Sequence, residues 1–403
     1  MTASVADQAW LHDRATRAVI DALEAAGGPG CVRFVGGCVR NALMGQAVDD
    51  IDMATRLLPE ASVAALRAAG LKVVPTGLAH GTVTAVSGRK PHEITTLRRD
   101  VETDGRKAVV AFTDDWSEDA ARRDFRLNAL YADGDGQVFD PTGHGVEDVR
   151  HGRIVFVGDP GTRIEEDYLR ILRFFRFYAW YGRGAPDAEG LAACAEHAPG
   201  MSRLSAERVS KELLKLLSAP RPVAAVEAMA ASGVLAVILP EAGSLEALRV
   251  MAAMSEDVVL RLSTLLPVEA AGIEAAARRL RLPNAMLARL VAAAPPLDLA
   301  MSEREARATL YRVGRGAFLD RVFRAEAMTG QPGSGDGLRS LAEAWAIPRL
   351  PVGGRHVAAA GLAAGPETGR VLAAFEAGWI ADDFPAEGHR ERLSALVEPL
   401  LRA

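Results

Sequence analysis

Apolar Trp10, Val19, Ile20 and Leu23 recur at roughly helical spacing within residues 5–26 and end at the Gly-Gly-Pro-Gly breaker of 27–30. That spacing predicts an opening helix. Short apolar runs then alternate with turn residues: Val32–Val35, Ile51–Ala54, Lys72–Val74, Thr82–Val86, Glu93–Leu97, Ala108–Phe112, Val138–Phe139 and Ile154–Val157. Runs of this length, several rich in Val, Ile and Thr, read as strands, with helices over Val39–Met44 and Pro59–Ala69 between them. The first 157 residues therefore read as a small mixed α/β domain. Beyond Pro160 the pattern turns to Ala, Leu, Glu and Arg with periods of three and four, so the rest is expected to be helical. Breaks at Pro220/Pro222, at Pro295-Pro296 and at residues 332–337 divide it into smaller helical units.

The chain has 403 residues, 49% hydrophobic and 25% charged, which is globular usage and too long for one core. It contains no apolar run of about 18 residues and no basic-then-apolar leader, so neither a membrane span nor a secretory signal is expected, and a cytoplasmic location is. Cys31, Cys38 and Cys194 form no metal-ligand spacing and are expected to be reduced and buried. A net charge of -5 argues against a uniformly basic nucleic-acid binder but leaves room for a local basic groove.

The sharpest chemistry lies in VGGCVRNALMG (35–45) followed by DDIDMAT (49–55). A Gly36-Gly37 turn between strand and helix lets backbone N–H groups approach an anion, and Arg40 can add a bidentate phosphate contact one turn on. If Asp50 and Asp52 share a strand, both carboxylates project from one face, about 6–7 Å apart at Cα. Two such groups repel unless a cation lies between them, and Mg²⁺ suits carboxylates plus phosphates; the alternative is a solvated acidic turn.

Gly-Gly-x-x-Arg followed by Asp-x-Asp resembles the class II nucleotidyltransferases, the family of bacterial tRNA CCA-adding enzymes and poly(A) polymerases. The resemblance covers roughly residues 30–220 and extends to RRDFRLNALY (122–131), the Asp140–Gly145 hinge, EEDYLRILRFFRF (165–177) and the helix SAERVSKEL (205–213). VVPTGLAHGTVTAV (73–86), with His80, HEITTLRRD (92–100) and Asp104-Gly105-Arg106 resemble the CCA-adding branch more than poly(A) polymerases. The Arg98–Asp115 segment between these motifs reads as a long polar loop. Asn41 stands where the family usually has Asp, and Arg126 where it usually has Thr.

The resemblance implies an α+β chain: a mixed α/β nucleotidyltransferase head (1–157), a helical neck that recognises the base (158–222), and a helical body and tail for tRNA (223–403). It further implies that Asp50 and Asp52 hold Mg²⁺, that Gly36, Gly37, Arg40 and Arg123 meet the triphosphate, and that Asp124 bonds the ribose 2′-hydroxyl. Asp167 and Arg170 would read the base edge, with Arg173 and Arg176 beside them. Glu93 is expected as a third carboxylate. An Asp acceptor beside an Arg donor complements cytosine and adenine and mismatches uracil and guanine. The expected activity is untemplated addition of CCA to the tRNA 3′ end from CTP and ATP, with no protein partner inferred. The rivals are poly(A) or partial addition and, in another class, a non-catalytic RNA-binding protein. On the residues alone, Ser205 suits an N-cap, with Arg208 and Glu212 an i, i+4 pair.

Overall fold

The computed structural model describes residues 3–78, 81–104 and 107–402. His80 and the Gly105-Arg106 pair lie outside the described residues. The chain forms two compact units, Met1–Pro240 and Glu241–Ala403.

In the first unit, strands β1 (Val32–Val35), β2 (Asp52–Thr55), β3 (Lys72–Gly77), β4 (Thr82–Ser87), β5 (Lys90–Thr96), β8 (Tyr131–Ala132) and β9 (Val138–Phe139) form one sheet in the order β3-β4-β5-β2-β1-β8-β9. Strands β6 (Arg98–Asp104) and β7 (Lys107–Phe112) pair separately. The central strand β2 runs antiparallel to β1 but parallel to β5, in a register that sets Asp52 opposite Glu93. Alternation along these strands puts Phe34, Met53, Val83, Ala85 and Ile94 into the core. Helices α1 (Ala9–His12), α2 (Arg14–Gly27), α3 (Gly37–Leu43) and α4 (Pro59–Ala68) accompany the sheet, and α2 packs on α4 and β4.

Four sequence expectations are corrected. The opening helix is split at Asp13, whose carboxylate accepts the Ala15 N–H at 3.0 Å and caps α2. The expected polar loop Arg98–Asp115 holds the β6–β7 hairpin, because cross-strand pairing satisfies a backbone whose side chains are largely polar. Ile154–Val157 forms only an isolated bridge, Phe156 to Phe125, before Gly158 (φ 70°) and Pro160 turn the chain into a helix. The strand expected at Ile51 begins at Asp52, which leaves Asp50 ahead of it.

Past the sheet come α5 (Trp116–Ala121), α6 (Gly145–His151), α7 (Pro160–Glu166), α8 (Leu169–Tyr181), α9 (Ala188–His197), α10 (Ala206–Leu217), α11 (Pro222–Ala231) and α12 (Val234–Ile238). The Asp140–Gly145 turn is organised by Asp140, which accepts from Thr142 Oγ1 at 2.7 Å and from the N–H groups of Gly143 and Val146 at 3.1 Å. The α8 stripe (Leu169, Ile171, Leu172, Phe174, Phe175 and Phe177) is buried. Phe125 meets Phe156 at 4.9 Å and Phe177 at 5.2 Å between ring centroids, and Phe156 stacks on Phe174 at 5.6 Å. This aromatic cluster fixes α8 against the RRDFR segment.

The second unit is helical: α13 (Leu245–Met254), α14 (Val258–Leu265), α15 (Ala270–Arg279), α16 (Asn284–Ala293), α17 (Glu303–Val313), α18 (Arg315–Thr329), α19 (Asp336–Ala344), α20 (Gly354–Ala359), α21 (Pro366–Ala381) and α22 (His389–Arg402). One core gathers Ala306, Leu310, Phe318 and Val322, and another Val371, Phe375, Trp379 and Val397. Among the described residues no helix is long and apolar enough to cross a membrane. The three cysteines are free and buried, as expected from the sequence.

Candidate active site

One cleft of the first unit is lined by Gly36 and Gly37, by Arg40 of α3, by Asp52 of β2 and Glu93 of β5, by Arg123, Asp124 and Asn128, and by Arg173 and Phe177 of α8. Gly36 carries φ 72°, a left-handed backbone that turns β1 into α3 at little cost only without a Cβ. A Cβ there would sit 3.8 Å from Arg123 Nη1, so that guanidinium faces the turn.

Asp52 lies on the cleft floor. Desolvation by the cleft walls, then the like charges of Glu93 and Asp50, push its carboxyl up to about 6, while Arg123 pulls the other way. No protein hydrogen bond or ion pair is formed by the Asp52, Asp50 or Glu93 carboxylates among the described residues. Such an acidic group lacking protein donors fits a divalent cation. Among the described residues no three acidic, His or Cys side chains enclose an ion by themselves, so other oxygens, such as water or phosphate, complete any such site. Asp50 does not line the cleft, although its charge reaches Asp52. Glu93 reaches Asp52 through the parallel pairing of β2 and β5, which no local pattern specifies.

The RRDFR arginines are not a solvated helix face. Arg123 donates from Nη2 to Asp119 Oδ2 at 2.8 Å and from Nε to Tyr131 Oη at 3.1 Å. Arg122 donates from Nε to Asp119 Oδ1 at 3.0 Å, and Tyr131 Oη donates to Asp119 Oδ2 at 2.8 Å. Burial would raise the Asp119 pKa, but Arg123 and Arg122 outweigh it and hold it at about 2. Asp119 escaped the sequence reading; its only signal was a spacing of three and four residues ahead of the two arginines.

Asp124 is equally committed. Its Oδ1 accepts the Phe125 N–H at 2.8 Å and Asn128 Nδ2 at 3.0 Å, and its Oδ2 accepts Arg173 Nε at 2.7 Å. Burial opposes ionisation, yet Arg173 and these hydrogen bonds hold its pKa near about 2. Asn128 Oδ1 then accepts Arg40 Nη1 at 2.5 Å, which links Arg40, Asn128, Asp124 and Arg173 into one chain of polar contacts. Asn128 was not singled out as functional, although it lies inside the RRDFRLNALY motif.

Asp167, which caps the C-terminus of α7, and the other α8 arginines are placed differently. Asp167 accepts the Leu169 N–H at 3.1 Å and Arg208 Nη2 at 2.6 Å. Arg170 is paired with Glu166 and donates to the Arg163 carbonyl at 2.7 Å and the Arg122 carbonyl at 3.2 Å. Arg176 forms an ion pair with Glu212 at 2.6 Å. None of these three lines the cleft, whereas Arg173 does. The expected Arg208–Glu212 pair is thereby replaced by two pairs that tie α10 to the Asp167–Arg176 segment, since a partner on a packed neighbour competes with the solvated i, i+4 contact. Ser205 stands at the N-cap of α10 without a side-chain capping bond.

With this geometry in place, comparison with known proteins gives a consistent picture. The Poly A polymerase head domain matches residues 32–155, and the probable RNA- and SrmB-binding site of polymerase A matches residues 186–245. The chain is similar to human mitochondrial CCA tRNA nucleotidyltransferase 1, 45% identical over 192 residues, covering 46% of this chain and 43% of that protein. It is similar to the CCA-adding enzyme of Geobacillus stearothermophilus, 38% identical over 223 residues, covering 55% and 54% of the two chains. These matches thus span about half the length of the curated relatives. In three dimensions it resembles the Bacillus stearothermophilus CCA-adding enzyme solved in complex with CTP, with a TM-score of 0.77 and 28% identity, over 96% of this chain and 97% of that one. The glycine turn, the acidic floor and the RRDFR arginines all fall within residues 32–155, the part of the chain that matches the Poly A polymerase head domain, and over nearly its full length the chain resembles the CCA-adding enzyme in fold.

Proposed function

We propose that the protein is a CCA-adding tRNA nucleotidyltransferase that extends the tRNA 3′ end from CTP and ATP. The observation that carries this is one cleft in which a carboxylate floor without a protein hydrogen-bond donor faces a glycine turn and five arginines, Arg40, Arg98, Arg122, Arg123 and Arg173. In this reading Asp52, with Asp50 and Glu93 supplementing its charge, holds Mg²⁺. When bound, the ion acidifies the attacking 3′-hydroxyl and offsets charge on the departing pyrophosphate. The Gly36-Gly37 turn, whose Gly36 N–H is taken by the Leu130 carbonyl at 3.1 Å, offers the Gly37 N–H, which with Arg123 Nη1 holds the triphosphate in line, so positioning and charge neutralisation supply the rate. Asp124, already fixed by Arg173 and Asn128, offers its remaining acceptor capacity to the ribose 2′-hydroxyl. The head (1–157) carries this chemistry, the neck (158–222) faces the base, and the remainder (223–403) grips tRNA.

The test is a tRNA lacking its terminal CCA, incubated with CTP and ATP. Three nucleotides and then arrest are expected; a long ladder with ATP alone indicates a poly(A) polymerase, and no extension indicates a non-catalytic RNA binder. Arrest follows if the tRNA body stays anchored while the growing end fills a site of fixed size.

Base reading by Asp167 and Arg170 requires their present partners, Arg208 and Glu166, to be exchanged for the base edge. Arg170→Ala then lowers the ratio of CTP to UTP incorporation by about tenfold or more. An unchanged ratio assigns base reading elsewhere, with Arg173 the α8 arginine already in the cleft.

A further inference from the structure

We infer that Asn41 and Tyr181 are positioning residues that hold the Arg40 guanidinium in an electrically neutral socket, leaving its positive charge available to the triphosphate. The inference rests on the nucleotide reading of the cleft and deepens it.

Arg40 is only 7% exposed, and every acceptor it meets is neutral. Nε and Nη2 donate to Asn41 Oδ1 at 3.1 and 2.8 Å, Nη1 donates to Asn128 Oδ1 at 2.5 Å, and Nη2 also donates to Tyr181 Oη at 2.8 Å. The Tyr181 ring lies 4.1 Å from the guanidinium carbon, a stacking contact supplied by the C-terminal end of α8. Among the described residues no carboxylate lies within ion-pair distance of Arg40, whereas Arg123 and Arg173 beside it are paired with Asp119 and Asp124. The hydrogen bonds fix its direction without cancelling its charge.

Asn41 is held in this role. Its Nδ2 donates to the Ala47 carbonyl at 2.9 Å, which turns Oδ1 towards Arg40. A carboxylate there would accept the same two donors and would neutralise the guanidinium. A cation shielded from water and lacking a counterion gains more from an entering anion than one already paired, because the effective dielectric is low and no ion pair must first be broken. The neutral Asn41 side chain therefore tunes triphosphate affinity, and Tyr181 carries the neck helix into the same socket.

The test is Asn41→Asp in the full chain, with the affinity for inorganic tripolyphosphate measured by calorimetry without divalent cation, alongside the Tm of each protein. Affinity is expected to fall about tenfold while the Tm holds or rises, since a new ion pair replaces a neutral contact. Tyr181→Phe keeps charge and stacking and is expected to lose about threefold or less. Unchanged tripolyphosphate affinity in Asn41→Asp overturns the inference, as does a loss that merely accompanies a lower Tm. Tripolyphosphate binding needs no turnover. Failure of tRNA extension by the unaltered protein therefore bears on the nucleotidyltransfer reading alone.

Discussion

Asp52→Asn is expected to abolish the proposed nucleotide transfer, by roughly a thousandfold or more, and at neutral pH to stabilise the fold. Both effects follow from one carboxylate held among like charges. Its pKa rises from 3.8 to about 6, so the folded state binds the proton more tightly than the unfolded chain. Stability associated with this group is therefore fully present below about pH 4, declines as the pH rises towards 6, and stays reduced above it. The amide relieves that cost, by about 1 kcal/mol or less because the group is open to solvent. Thermal melts at pH 8 should show a higher Tm for Asp52→Asn, and added Mg²⁺ should raise the Tm of the unaltered protein but not of the variant. Transfer at the ordinary rate, or an equal Mg²⁺ response in both proteins, refutes the metal assignment.

Asp119→Ala is expected to destabilise the first unit by about 3–5 kcal/mol, because it strands the Arg122 and Arg123 guanidiniums and the Tyr131 hydroxyl without their shared acceptor. Asp119 is 1% exposed and closes three such contacts. Its depressed pKa gives the opposite pH signature to that of Asp52. The contribution is complete above the unfolded value of 3.8 and disappears as the pH falls towards about 2. Urea denaturation at pH 7 measures the loss, and Asp119→Asn, which keeps the acceptor geometry without the charge, should recover part of it. A cost below about 1 kcal/mol for Asp119→Ala would show that the arginines find other partners or water.

The correspondence between local pattern and fold is uneven, for identifiable reasons. Val32–Val35 and Pro59–Ala68 were legible because the periods of two and 3.6 reflect contacts along one element. The β6 strand carries no apolar pattern because its order comes from pairing with β7, and Ile154–Val157 forms no ladder because Phe156 stacks on Phe174 of α8 while Val157 joins the core of Val35, Ala54 and Trp116. The Gly36-Gly37 turn and Asp52 were likewise legible, since a turn needing φ above zero and a strand-borne carboxylate leave marks on their own residues.

The sequence by itself determined the succession of a mixed α/β part and a helical remainder, the glycine turn, the strand-borne Asp52 and the arginines of α8. These are properties of residue type and short spacing, carried by backbone preference and side-chain chemistry. Tertiary structure alone decided the charge pairings between distant segments, while Asp119 met Arg122 and Arg123 over three and four residues. Pairing of β2 with β5 put Glu93 beside Asp52, and docking of α8 on the RRDFR segment gave Arg173 to Asp124 and Tyr181 to Arg40. Packing of α10 against the Asp167–Arg176 segment drew Arg208 and Glu212 to tertiary partners. Electrostatic interaction depends on distance and desolvation, and residues 40 and 181 come within a hydrogen bond only once the core has folded.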